Sequence, residues 1–148
     1  MKIINSFSGS DTESAGEELG KITKDNTVIA LFGELGAGKT AFTRGFVRGY
    51  GIKCRVFSPT FAIVNEYNDN GKTVYHFDMY RISGIDDLYS TGYFDYLDSG
   101  AVLVIEWSEN IEAVLPENCV RVHIGKSNKE NERIIKIGIG EAYEDISD

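Results

Sequence analysis

Two stretches of this chain are apolar almost throughout, while the rest alternates. Thr27 to Phe32 (TVIALF) and Ala101 to Trp107 (AVLVIEW) are runs of strand length, the pattern of strands covered on both faces in an α/β sheet. Lys2 to Phe7, Val120 to Ile124 and Arg133 to Ile137 alternate as half-exposed strands do. Phe61 to Tyr67 and Thr73 to Asp78 are aromatic and β-branched and flank the polar Asn68-Asp69-Asn70-Gly71, which predicts an antiparallel hairpin. Ser10-x-x-Glu13 resembles a capping box opening a helix that runs to about Thr23, with Asn26 in the turn beyond it. Lys39 to about Tyr50 carries Phe42, Phe46 and Val47 at helical spacing, with Gly49 and Gly51 as stop signals. Ile85 to Leu97 reads as one or two short helices, and Ser108 is placed to cap another before Pro116. Strands mixed with helices throughout predict an α/β fold with a mixed, largely parallel central sheet flanked by helices. Residues 1–140 form the expected domain, and the acidic 141–148 an exposed tail.

Size and charge narrow this picture. At 148 residues the chain is the length of one domain, enough to build a core without disulfides. Cys54 and Cys119 stand apart, outside any C-x-x-C or Cys/His cluster, and are expected as free thiols. The opening MKIINSFSGSDTES lacks the basic segment and apolar run of a signal peptide, and no stretch approaches the ~18 apolar residues of a membrane span. A soluble, cytoplasmic protein is expected. A net charge of -8 disfavours unaided binding to a polyanion, so any nucleic acid would be held by a partner.

The chemistry is concentrated after the first apolar strand, in Gly33-Glu34-Leu35-Gly36-Ala37-Gly38-Lys39-Thr40, a complete match to G-x-x-x-x-G-K-[ST]. Glycines let the backbone take left-handed conformations and bring its N–H groups close to phosphate at the positive end of the next helix. Glu34, Leu35, Gly36, Ala37, Gly38, Lys39, Thr40 and the following Ala41 are therefore the expected nucleotide cradle, in a P-loop NTPase domain. Lys39, taken as a surface cation, reaches the β- and γ-phosphates; Thr40 offers its hydroxyl to Mg²⁺. Glu106 ends the apolar strand where a carboxylate makes sense only facing a cation. Asp78 ends a hairpin arm with Arg81 soon after, which fits either a site residue or an ordinary strand end. Ser58-Pro59-Thr60-Phe61 lies where a γ-phosphate sensor could sit, but is also common turn chemistry. His76 and Trp107 read first as packing residues.

The order GELGAGKT, SPTF, HFDMYR, VIEWSE closely resembles the TsaE (YjeE) family of bacterial tRNA threonylcarbamoyladenosine biosynthesis ATPases, from about Ser10 to Ile137. The resemblance implies an ATPase using ATP and Mg²⁺, with Lys39 and Thr40 on phosphate and metal; with no obvious internal arginine finger beyond Arg81, it is expected to be slow alone and stimulated by partners. It also implies that Thr60 lies in a switch-like segment, that Glu106 helps hold magnesium, and that Asp78 acts on magnesium or the attacking water. Trp107 and, more loosely, Thr12 would border the nucleotide. The implied partners are a threonylcarbamoyl-transferase subunit and its paralogous partner protein, with tRNA reached only through the complex. Met79 stands where the family more often has Leu. Rival readings are a GTPase, for which no N-K-x-D segment follows the loop; a kinase, which would want a lid rich in Arg, whereas six Arg are scattered here; and a nucleotide-gated binding module with incidental hydrolysis.

Overall fold

The computed structural model describes residues 1–59 and 63–140. Its strands are β1 (Lys2–Ser6), β2 (Val28–Phe32), β3 (Val64–Asp69), β4 (Lys72–Asp78), β5 (Val102–Glu106), β6 (Val120–Lys126) and β7 (Arg133–Ile139). They form one sheet in the order β1-β7-β6-β2-β5-β4-β3. The four central strands, β6, β2, β5 and β4, run parallel, while β1, β7 and β3 join antiparallel at the flanks. β2 and β5, the two apolar runs, are buried at every position. A parallel sheet covered on both sides requires this.

One face is covered by α1 (Gly9–Ile22) and α2 (Lys39–Tyr50), the other by α3 (Ile85–Ser90), α4 (Tyr93–Leu97) and a kinked 3-10 segment, Ser108–Val114. The cap of α1 is Ser8, not Ser10. The Ser8 side chain accepts from the Asp11 amide at 3.1 Å, and Asp11 Oδ2 accepts from Phe7 N at 3.0 Å. A box-like cap thus lies two residues earlier than expected, with Asp in place of Glu and its return bond on the Phe7 amide rather than on the cap's own. Gly49 is likewise not a stop signal, because α2 continues to Tyr50 and ends at Gly51, whose φ is +108°. Gly49 serves packing instead. A Cβ on Gly16 or Gly49 would lie 2.1 Å from the carbonyl oxygen of Phe42 or Glu17, and one on Gly45 only 1.8 Å from that of Glu13. With Gly20, these glycines at i, i+4 spacing let the two helix backbones touch.

The hairpin is tighter than its polar sequence suggested. Pairing runs through Asp69 and Lys72, leaving Asn70 (φ +52°) and Gly71 (φ +74°) as a two-residue turn of the mirror-image kind that matches strand twist. β3 begins at Val64, since Ile63 has φ +66°; Phe61 lies outside the described residues, as does 141–148. Ser108 caps no helix: its hydroxyl donates to the Ile105 carbonyl, and Trp107 occupies the cap position with φ +58°. Cys54 is exposed and Cys119 buried, both as free thiols. Among the described residues no helix is long and apolar enough to cross a membrane.

Candidate functional site

Parallel pairing of β2, β5 and β4 brings the carboxyl ends of three neighbouring strands to one edge of the sheet, where α/β folds place their ligands. The loop 33–38 leaves β2 there. Gly33, Gly36 and Gly38 have φ of +151°, +78° and +110°, and a Cβ on Gly33 would lie 2.6 Å from the Ile124 carbonyl oxygen. Glycine is required on both counts. The loop faces a cavity of about 550 Å³ that is also lined by Ser58, Asp78, Arg81, Glu106 and Trp107. Asp78 and Glu106 are register partners across β4 and β5, so the two carboxylates sit side by side on one face.

Lys39 is not a surface cation. It is 6% exposed, its Nζ donates to the Gly33 and Glu34 carbonyls, and it lies 3.9 Å from the centre of the Trp107 ring. Burial pushes its ammonium below the usual lysine range, opposed by Glu109, Glu106, Asp78 and Glu34 in that order. Asp78 is pushed above the usual carboxylate range by burial first, with the charge of Glu106 adding to the effect and a hydrogen bond from Tyr80 N opposing it. Trp107 turns the chain out of β5 in a left-handed conformation, its ring against Tyr80 at 4.9 Å.

The remaining expected residues divide. Leu35 through Ala41 line the cavity; Glu34 does not, though its carbonyl closes the loop turn onto the Ala37 amide. Thr12 is buried and sits in a separate cleft of about 100 Å³ with Gly38, Ala41 and Arg133, its hydroxyl 2.7 Å from that of Ser6. Thr60 lies outside the described residues. His76, read as packing, is fully buried and bonded through Nε2 to Glu106 Oε2 at 2.6 Å and through Nδ1 to the Tyr67 hydroxyl at 3.0 Å.

Sequence reasoning missed the residues that brace the loop. Glu109 Oε2 accepts from Gly33 N at 3.1 Å, Lys126 donates to the Leu35 carbonyl at 3.0 Å, and Arg133 Nε donates to the Ala37 carbonyl at 3.0 Å. The two cations lie more than 90 positions along the chain from the carbonyls they hold, so local pattern carries no sign of them. The donor set also bears on metal. Thr40 with the carboxylates of Asp78 and Glu106 is a hard-oxygen set. That fits Mg²⁺, which is held by few protein groups and completed by phosphate and water.

A parallel sheet with a glycine-rich loop and helix after its central strand, and carboxylates on the next two strand ends, defines a P-loop protein of the α/β class. The chain belongs to the TsaE family: the model described as threonylcarbamoyl adenosine biosynthesis protein TsaE matches residues 7–135. It is 36% identical to the tRNA threonylcarbamoyladenosine biosynthesis protein TsaE of Bacillus subtilis over 90% of this chain and 84% of that protein. It is 43% identical to the protein of the same name from Haemophilus influenzae over 69% of this chain, a match spanning 65% of that relative's length. The crystal structure of Bacillus subtilis YdiB superposes with a TM-score of 0.76 at 31% identity, covering 99% of this chain and 90% of that one.

Proposed function

We propose that this chain is a magnesium-dependent ATPase that serves threonylcarbamoylation of adenosine 37 in tRNA as the nucleotide-cycling member of a cytoplasmic transfer complex. One observation carries the chemistry: the loop residues Leu35 to Thr40 and the paired carboxylates Asp78 and Glu106 face one cavity. The names of the relatives carry the pathway.

The loop amides and the start of α2 bind the phosphates, with Leu35 to Ala41 as their cradle. Lys39, now bonded to loop carbonyls, exchanges them for phosphate oxygens, a stronger partner for a desolvated ammonium. Thr40 and Glu106 would hold Mg²⁺, which supplies charge neutralisation at the phosphates. Asp78, with its proton affinity raised by burial, orients and accepts a proton from the attacking water. Trp107 covers the lysine, and Thr12 borders the loop at Gly38. Thr60 belongs to a segment that responds to the nucleotide. The net charge of -8 fits a protein whose tRNA is gripped by the transferase subunit and its paralogue.

ATP titration followed by the fluorescence of the single tryptophan, Trp107, tests the site. Saturable binding tightened by Mg²⁺ is expected, lost in Lys39→Ala; unchanged affinity in that variant would remove the loop from the reading. Asp78→Ala should lower hydrolysis more than binding, and Glu106→Ala should weaken the Mg²⁺ dependence. Turnover should rise when the partner proteins are added, and equal rates alone and in complex refute the stimulation. Nucleoside analysis of tRNA from depleted cells tests the pathway: unchanged threonylcarbamoyladenosine rejects it.

A further inference from the structure

A line of polar contacts, buried between Glu106, His76 and Tyr67 and part-buried where it reaches Phe57, leaves the cavity where its wall should be apolar. On the sheet face under α2, strand alternation places Val74, His76 and Asp78 beside Val102, Val104 and Glu106, with Tyr67 of β3 opposite Val74. The positions deeper in the sheet are valines, as a buried face demands. His76 and Tyr67 break the pattern, and each is spent on its neighbours. His76 Nε2 lies 2.6 Å from Glu106 Oε2, and Nδ1 lies 3.0 Å from the Tyr67 hydroxyl. That hydroxyl donates to the Phe57 carbonyl at 3.0 Å and accepts from the Phe57 amide at 3.3 Å. Asn65 Nδ2 adds a bond to the same carbonyl at 3.1 Å. Phe57 precedes Ser58, which lines the cavity.

We propose that His76 and Tyr67 are positioning residues that tie the carboxylate of Glu106 to the backbone of Phe57, so that the cation end of the site and the Ser58 wall respond as one unit. The proposal rests on the nucleotide reading above. Its physical basis is that a buried polar group forgoes water and must keep its partners. A shift of Glu106 toward a ligand therefore obliges His76 to follow, then Tyr67, then Phe57. Replacing this chain by apolar side chains would fill the same volume but transmit nothing.

Two measurements on the full chain test it. The first is amide exchange by NMR without nucleotide. Glu106→Ala, three contacts from Phe57, should speed exchange of the Phe57 amide several-fold, as should Tyr67→Phe, which removes its acceptor. A Phe57 rate unchanged by Glu106→Ala overturns the coupling. Should that variant fail to fold, His76→Gln breaks the chain one contact nearer and carries the same comparison. The second is ATP binding with and without Mg²⁺, read from Trp107. Tyr67→Phe should cut the Mg²⁺-dependent tightening about tenfold while leaving Mg²⁺-free affinity within about twofold. In a Glu106→Ala background it should do nothing further. Equal losses with and without Mg²⁺, or additive ones, mark a merely structural role and overturn the inference. Wild-type protein with no saturable ATP response overturns the nucleotide reading and this inference with it. Wild-type tightening that Tyr67→Phe leaves intact overturns the relay alone.

Discussion

The two faces of the sheet are covered by different physics. On one face α1 and α2 meet each other backbone against backbone through Gly16, Gly20, Gly45 and Gly49 and pack on the strands through apolar side chains such as Leu19, Phe42 and Phe46; the same face carries the P-loop helix and the Glu106–His76–Tyr67 chain. Under α3 and α4 the contact is ring against ring: Phe77 meets Tyr96 at 5.3 Å and Tyr93 at 6.2 Å, and Tyr75 meets Tyr96 at 4.4 Å. Glycine contacts have no rotamers to relax, so they fix a helix position to fractions of an ångström. Aromatic contacts fill volume and can re-pack. The difference teaches that rigidity is concentrated where Lys39 and Thr40 must be aimed, and tolerance where only a core must be closed.

The comparison can be broken from either side. Gly45→Ala should cost about 3 kcal/mol in denaturant melts and weaken ATP binding with it, because the added Cβ meets fixed backbone. Stability and binding both within error of wild type would refute the zipper as the device that aims α2. Phe77→Leu, buried on the aromatic face, should cost about 1.5 kcal/mol and leave ATP affinity within twofold. Coupled loss of binding would erase the distinction between the faces. Ser8→Ala removes the cap of α1 and should cost about 1 kcal/mol. No measurable change would show that helix packing alone holds the first turn.

The smallest effect is one of pH. Burial raises the pKa of Asp78 in the fold, so below the unfolded value near 3.8 its carboxyl is neutral in both states and costs nothing. As pH rises through the raised folded value the native state must hold a disfavoured charge, and stability falls. Asp78→Asn should therefore melt higher than wild type at neutral pH while losing hydrolysis. The gain should fade as pH drops toward 4. A gain that persists in acid would assign it to something other than this charge.

Much of this was legible from local pattern. β2 and β5 announced themselves as unbroken apolar runs, and α2 begins and ends where its lysine and second glycine put it. The loop 33–38 was legible because each glycine has a local reason, and Glu106 because a carboxylate ending an apolar strand is visible in sequence; Asp78 stayed open between a site residue and an ordinary strand end until the family resemblance weighed in. What stayed hidden depends on register or on distance along the chain. His76 reads as packing until β4 is seen beside β5, and Tyr67 is only one aromatic of a hairpin arm until β3 is paired with β4. Glu109, Lys126 and Arg133 brace a loop that no local rule connects to them. Gly49 misled for a related reason: a glycine near a helix end reads as a stop, and only the neighbouring helix shows that it is a contact.

The four packing glycines bear finally on how variation in this protein should be interpreted. Any missense change in a glycine codon adds at least a Cβ, and here each added atom would fall within 2.3 Å of a carbonyl oxygen on the other helix. Selection therefore has no permissive neighbour to explore at these positions. Invariance by itself would not separate scaffold from chemistry in this molecule; the separation needs an assay in which folding and nucleotide binding are scored independently.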